Sequence, residues 1–193
     1  LHRRFSFILP FGFLLSGFAL LVSYLGQMNP QITPLMPVLV SPWLSIHVSL
    51  IMMSYALLAF IMLNGILALC LRKKESENNV SGNDAIQDNR IEQLTLVSRL
   101  LLYPATFFLG AGIFLGAVWA NVSWGRYWAW DPKEVWALIT FLVYGVAFHS
   151  QSLRIFRKPL FFHIYMILAF LTVLMTYFGV NYVLGGMHSY ANA

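Results

Sequence analysis

Charge is what this sequence has least of. Of 193 residues, only 10% are Asp, Glu, Lys or Arg, while 59% are hydrophobic, and the mean hydropathy is +0.71. Soluble domains carry about 25% charged residues, so most of this surface cannot face water. Cysteine is nearly absent: Cys70 stands alone, which excludes an internal disulfide and a C-x-x-C thiol-exchange pair. No internal repeat, low-complexity tract or separate soluble module is visible. The formal charge of +5 is small, and no nucleic-acid partner is expected from it. Where the charges fall says more than their sum.

What the chain does have is apolar runs long enough to cross a bilayer, which takes about 20 residues each. Five are visible: Phe5 to Gly26, Leu44 to Leu71, Leu100 to Asn121, Lys133 to Gln151 and Leu160 to Leu184. The first follows Arg3 and Arg4 as a signal peptide would, but its 22 residues are too many and no small-x-small cleavage site follows. It is read as a span. The connections alternate between two kinds. One set holds Arg3, Arg4, Arg72, Lys73, Lys74, Arg90, Arg99, Arg154, Arg157 and Lys158; the other holds only Arg126 and Lys133. Basic residues favour the cytoplasmic side, so residues 28–42, 122–133 and 185–193 are expected outside and the amino end inside.

The expected fold class is therefore all-α: a polytopic membrane helical bundle of five transmembrane helices with an external tryptophan-rich loop. One membrane domain is expected over residues 1–193, with a cytoplasmic loop over 73–93 and the external segment over 119–136. Because the chain opens on Leu1 and not Met, it is expected to be the C-terminal portion of a longer polypeptide. Ile91, Leu94, Leu96 and Val97 are expected to form an amphipathic turn before Pro104 opens the third span. Gly112 and Gly116, spaced G-x-x-x-G, are expected to serve close helix packing and nothing more.

Five of the six tryptophans fall between Trp119 and Trp136. An interfacial aromatic belt accounts for two or three such rings. It does not account for Trp124, Tyr127, Trp128 and Trp130 in one short loop. Such density makes a flat, rigid, apolar surface suited to a large planar ligand. Asp131 reads as a helix N-cap, Pro132 as the first helical residue and Glu134 as the third, a capping box. Both acids are thus expected to shape the loop and not to perform acid–base chemistry. Gly125 is expected to permit a turn that a side chain would block.

The stretch Trp124-Gly125-Arg126-Tyr127-Trp128-Ala129-Trp130-Asp131-Pro132-Lys133-Glu134 closely resembles the "WWD" signature of haem-handling proteins of cytochrome c maturation. Its continuation, D-P-K-E-V-W-A-L-I, is similar to the CcsA/ResC branch more than to CcmC or CcmF. The resemblance runs from Trp43 to Tyr190. It implies haem b as the cofactor and delivery of haem to apocytochrome c on the outer face of a bacterial cytoplasmic or thylakoid membrane. There the two thiols of a C-x-x-C-H segment join the haem vinyls. It also implies a CcsB/ResB-type partner domain or subunit, and a share in a cytochrome c synthetase of haem lyase-like activity. No catalytic residue is assigned.

A porphyrin iron takes one or two axial ligands, commonly imidazole. His47 and His188 both fall on the expected outer side, and the resemblance makes them a bis-histidine clamp. The haem platform is expected to be Trp124, Gly125, Tyr127, Trp128, Trp130 and Asp131, with Trp119 and Trp136 as interface anchors. Arg126 and Lys133 are the candidates for the haem propionates. His149, about 24 Å into the fourth span, matches a transmembrane histidine on the family's haem path, and no other residue fits as its partner. His163 reads as interfacial and His2 as an inner-surface residue.

Three other readings compete. A b-type electron-transfer subunit would stack haem between histidines inside the bundle. A haem exporter or chaperone would hand haem on without joining it to protein. A permease would need buried polar groups, and the spans offer little beyond Asn64, Thr106, Thr140 and Thr172.

Overall fold

Proline opens three of the helices. Pro42, Pro132 and Pro159 each stand at a first helical residue, where a missing N–H costs no hydrogen bond and the fixed φ suits the turn. The computed structural model describes residues 10–17, 20, 41–77 and 84–184. The chain divides into two compact units, Leu1–Val40 and Ser41–Ala193. In the first, residues 10–17 are helical. In the second, α1 (Pro42–Glu77) and α2 (Asp84–Trp124) precede α3 (Pro132–Val146) and α4 (Pro159–Leu174), which continues with π-helical winding over Met175–Leu184. No strand occurs among the described residues, and the fold they form is all-α.

Among the described residues, three segments are long and apolar enough to cross a membrane: Pro42–Arg72, Asp88–Trp124 and Pro159–Leu184. They mark an integral membrane protein. Of the five expected spans, Phe5 to Gly26 falls mostly outside the described residues. The fourth is shorter than expected. α3 has 15 residues, a rise of about 22 Å, and the chain then tightens into a 3-10 turn over Ala147–Gln151.

The third span is also not a unit by itself. α2 runs unbroken for 41 residues through Pro104, absorbing the expected amphipathic turn and part of the expected polar loop. Proline costs a helix interior one hydrogen bond and some crowding. Tertiary bonds on either side of it hold both halves of α2 to the antiparallel α1. Below the proline, Asn64 Nδ2 donates to Ser98 Oγ at 3.2 Å; above it, Ser54 Oγ donates to the Ala105 carbonyl at 2.8 Å. α1 likewise stays helical to Glu77, because Lys and Glu are good helix formers even where the apolar run has ended.

The core lies where α1, α2 and α4 meet, around Leu58, Ile61, Leu102, Phe162 and Met166, and it also takes in Tyr144 of α3. The linker from α3 to α4 is tied back to α2. Arg99 Nη2 donates to the Phe156 carbonyl at 2.9 Å, and the Arg99 guanidinium lies 5.3 Å from the Phe162 ring centre. Beside it His163 corrects the sequence reading. It is not interfacial but fully buried, at 0% exposure, with Nε2 2.9 Å from Thr95 Oγ1. Its place four residues after Pro159 looks peripheral only until α2 is seen to extend past it.

Candidate functional site

The tryptophan loop is short because both flanking helices are capped tightly. At the end of α2, Gly125 adopts φ +72°, and its N–H donates to the Asn121 carbonyl at 2.9 Å. This is a left-handed C-terminal cap, open to glycine without strain. At the start of α3, Asp131 Oδ2 accepts from the Lys133 N–H at 3.1 Å, and Glu134 Oε2 accepts from the Asp131 N–H at 3.2 Å. That is the capping box expected from the sequence. Glu134 reaches further than the motif requires, accepting also from the Ala129 N–H at 2.8 Å.

Between those two gripped amides stands Trp130, with φ +58° and 73% of its surface exposed. A left-handed L-residue costs about 1–2 kcal/mol, and Glu134 holds the backbone that imposes it. Glu134→Ala is expected to free two amides and lower stability by about 1–3 kcal/mol, seen as a lower melting temperature in detergent. Glu134→Gln, which keeps a carbonyl acceptor, should recover part of the loss. Equal melting of the wild type and Glu134→Ala would rule out this role.

Beside the loop, α1, α2, α3 and the π-helical segment enclose a largely apolar cleft of about 190 Å³. His47, Tyr55, Trp119, Trp128, Lys133 and Tyr177 are among its walls. Cavities that enclose drug-sized ligands run to about 300–1,000 Å³, so a larger planar ligand would be held along one side and project from the other. The expected platform residues divide here. Trp128 and Tyr127 line the cleft, whereas Trp124, Trp130 and Asp131 do not. Trp124 meets Trp119 edge-on at 4.9 Å, and Trp130 meets Trp128 edge-on at 6.0 Å. Trp119 is only 2% exposed and forms part of the wall, so it is no membrane-interface anchor.

His47 sits in the cleft wall, and its Nδ1 lies 2.7 Å from the Gly112 carbonyl oxygen. A carbonyl only accepts, so Nδ1 carries a proton, and in the neutral form of the ring the lone pair is then on Nε2. Lys133 Nζ donates to Asn181 Oδ1 at 2.8 Å, and Asn181 in turn donates to the Tyr177 carbonyl at 2.6 Å. Arg126 is exposed and lies outside the cleft lining. Asp131 is buried at the cap. His188 lies outside the described residues, so its distance from His47 is not given by the structure.

His149 lies in the turn beyond α3, exposed, with non-helical backbone angles. Its carbonyl accepts from the N–H groups of Ser152 and Leu153 at 3.0 and 2.8 Å. Its neighbour Phe148 meets Tyr103 at 5.0 Å, which places this turn some 20 residues down α2 from the tryptophan loop, at the end of α3 that leads into Arg154, Arg157 and Lys158. Tyr55, Asn181 and Tyr177 escaped the sequence reading, since a tyrosine or asparagine within an apolar run carries no local signal of a cleft. Among the described residues no cluster of His, Cys, Asp and Glu could hold a bare metal ion.

Comparison with known proteins gives one consistent pattern. Residues 1–188 match the family described as Cytochrome C assembly protein. The chain is 40% identical over 189 residues to Protein NrfI of Wolinella succinogenes, covering 98% of this chain and 20% of that protein. It is 39% identical over 187 residues to Cytochrome c biogenesis protein CcsA of Chlamydomonas reinhardtii, covering 96% of this chain and 50% of that one. The CcsA of Guillardia theta is 36% identical over 182 residues, with 86% and 60% covered. The chain thus spans about half the length of these CcsA proteins and a fifth of NrfI.

Proposed function

The chain belongs to the cytochrome c assembly protein family, and from that premise we propose that it holds haem b beside the tryptophan loop and presents it to apocytochrome c. The work is placed on the outer face of the membrane, in a bundle of five spans counting Phe5 to Gly26 and α3. The observation that carries this reading is His47: an imidazole in the wall of an aromatic cleft, its tautomer set by the Gly112 carbonyl so that the lone pair is on Nε2. That is the form in which imidazole ligates iron.

The residues present fit the group. His47 would hold the iron through Nε2, and His188 is the expected second ligand. Trp119, Tyr127 and Trp128 offer ring faces and edges to a porphyrin and keep water from it. Lys133 is a cation at the same wall, where a propionate would be paired. Bound haem supplies the vinyl groups across which the S–H bonds of a C-x-x-C-H segment add, forming two thioethers with no further reactant. The protein's share is orientation and exclusion of water. His149, at the far end of α3, stands on the expected path from the inner side, and a CcsB/ResB-type domain or subunit completes the assembly.

The test is maturation of a C-x-x-C-H reporter in cells lacking their own cytochrome c assembly proteins. The full parent protein should produce a reporter that keeps haem through a denaturing gel, and deletion of this chain should abolish it. A reporter that matures equally without the chain would end the proposal; a haem-loaded chain with no reporter matured would favour the exporter or chaperone. His149→Ala is expected to lower haem at the cleft severalfold at matched expression while leaving its absorbance spectrum unchanged. Equal loading would remove His149 from the path.

A further inference from the structure

The G-x-x-x-G pair on α2 is accounted for only in part by helix packing. Gly112 and Gly116 face His47 and Ile51 of α1, residues that share the same four-residue spacing in the opposite chain direction. A Cβ on Gly112 would stand 2.6 Å from Ile51 Cδ1 and 3.5 Å from the Ile51 backbone nitrogen. A Cβ on Gly116 would stand 2.7 Å from His47 Cε1 and 2.8 Å from Nδ1. Carbon atoms in favourable contact sit about 3.5–4.0 Å apart. The first clash concerns how closely the helices approach. The second concerns the imidazole ring itself.

The hydrogen bond gives that second clash its meaning. His47 Nδ1 donates to the carbonyl of Gly112, which has a second lone pair beyond the one its helix uses. Side chains on a helix tilt toward its N-terminus, so a side chain at 116 leans over the turn that begins at 112. A side chain at 116 would take the space in which the His47 ring reaches that carbonyl. A ring pushed off it loses the acceptor that keeps the proton on Nδ1. Without that acceptor the proton can move to Nε2, and the lone pair then leaves the nitrogen required for ligation.

We infer that Gly112 and Gly116 are positioning residues for His47: Gly112 supplies the carbonyl that fixes its tautomer, and Gly116 supplies the space in which the ring reaches it. Neither glycine touches iron. The consequence for ligation rests on the haem reading above, whereas the tautomer does not.

The haem-free full-length protein in detergent, with ¹⁵N-labelled histidine, tests the tautomer directly by ring-nitrogen NMR. His47→Gln identifies the His47 signals. The wild type should show Nδ1–H, and Gly116→Ala should lose that signature. Gly110→Ala is the control for crowding on the same helix, since its Cβ would meet the edge of the Phe141 ring at 3.0 Å. It should keep the His47 signature. Gly112→Ala should disturb it, and Gly112→Ala/Ile51→Ala should restore it by removing the atoms in the way. A wild-type signature in Gly116→Ala, or its equal loss in Gly110→Ala, would overturn the inference.

With haem present, losing a partner that orients a ligating histidine lowers affinity by about ten- to a hundredfold. Gly116→Ala should show a loss of that size, partly restored by added imidazole, and little further effect in a His47→Ala background. If His47→Ala itself leaves haem content and spectrum unchanged, the haem reading fails while the NMR result stands by itself. If His47→Ala loses haem and Gly116→Ala does not, the positioning role fails and the haem reading survives.

Discussion

Trp119→Ala is expected to destabilise the protein by about 3–5 kcal/mol, the range for a buried aromatic whose site cannot collapse. The ring is 2% exposed and braced edge-on by Trp124. The loss should therefore appear with no ligand present, as a lower melting temperature in detergent and a smaller yield of monodisperse protein. Trp130→Gly is the contrasting case. Its ring is 73% exposed and its backbone left-handed, so removing it costs little packing and relieves about 1–2 kcal/mol of strain. That variant should melt no lower than the wild type while maturing less of the reporter. A Trp119→Ala protein as stable as the wild type would show that the cleft wall relaxes freely. A Trp130→Gly protein as active as the wild type would remove the indole from the function.

Lys133→Met should abolish a preference. If Lys133 pairs with a propionate, the wild type will bind haem more tightly than its dimethyl ester, whose propionates carry no charge. A hydrogen bond to a charged group contributes about 1.5–3 kcal/mol, so the preference should be tenfold or more. In Lys133→Met both ligands should bind alike, at about the affinity of the ester for the wild type. The comparison within one variant separates this from a structural effect of losing the bond to Asn181, which would weaken both ligands together. An undiminished preference in Lys133→Met would reassign the propionate partner, with Arg126 next to test.

What could be read from the sequence was what depends on near neighbours. The capping box at Asp131 and Glu134 involves residues three apart, and the turn at Gly125 involves one residue's φ, so both were legible and both are present. His47 could be singled out by type and place, but the carbonyl that sets its tautomer lies 65 residues away. Trp119 ends an apolar run, where tryptophans commonly anchor at the interface, and only its place in the cleft wall, with Trp124 against it, shows it buried. His163 was misread for a similar reason: Pro159 and Lys158 make its surroundings look exposed, while Thr95 meets it from a helix 68 residues away. Helix ends were legible where proline marks them and illegible at α2, whose extension past Arg99 follows from its pairing with α1 and not from local hydrophobicity.

α3 has a consequence for the surrounding lipid. Its 15 residues rise about 22 Å, against a hydrocarbon core of about 30 Å, while the neighbouring α2 is far longer. On the proposed five-span reading, the α-helical part of this flank stops short of that depth, and the 3-10 turn over Ala147–Gln151, kinked at His149, has to supply the rest. A bilayer meets a short wall by thinning beside it, at a fraction of a kcal/mol per ångström. On that reading, thinning beside the kinked turn brings headgroups and water toward the exposed His149 imidazole. Lipids with longer tails raise the cost of that dimple and shorter ones lower it, so membrane thickness becomes a variable acting on this one histidine.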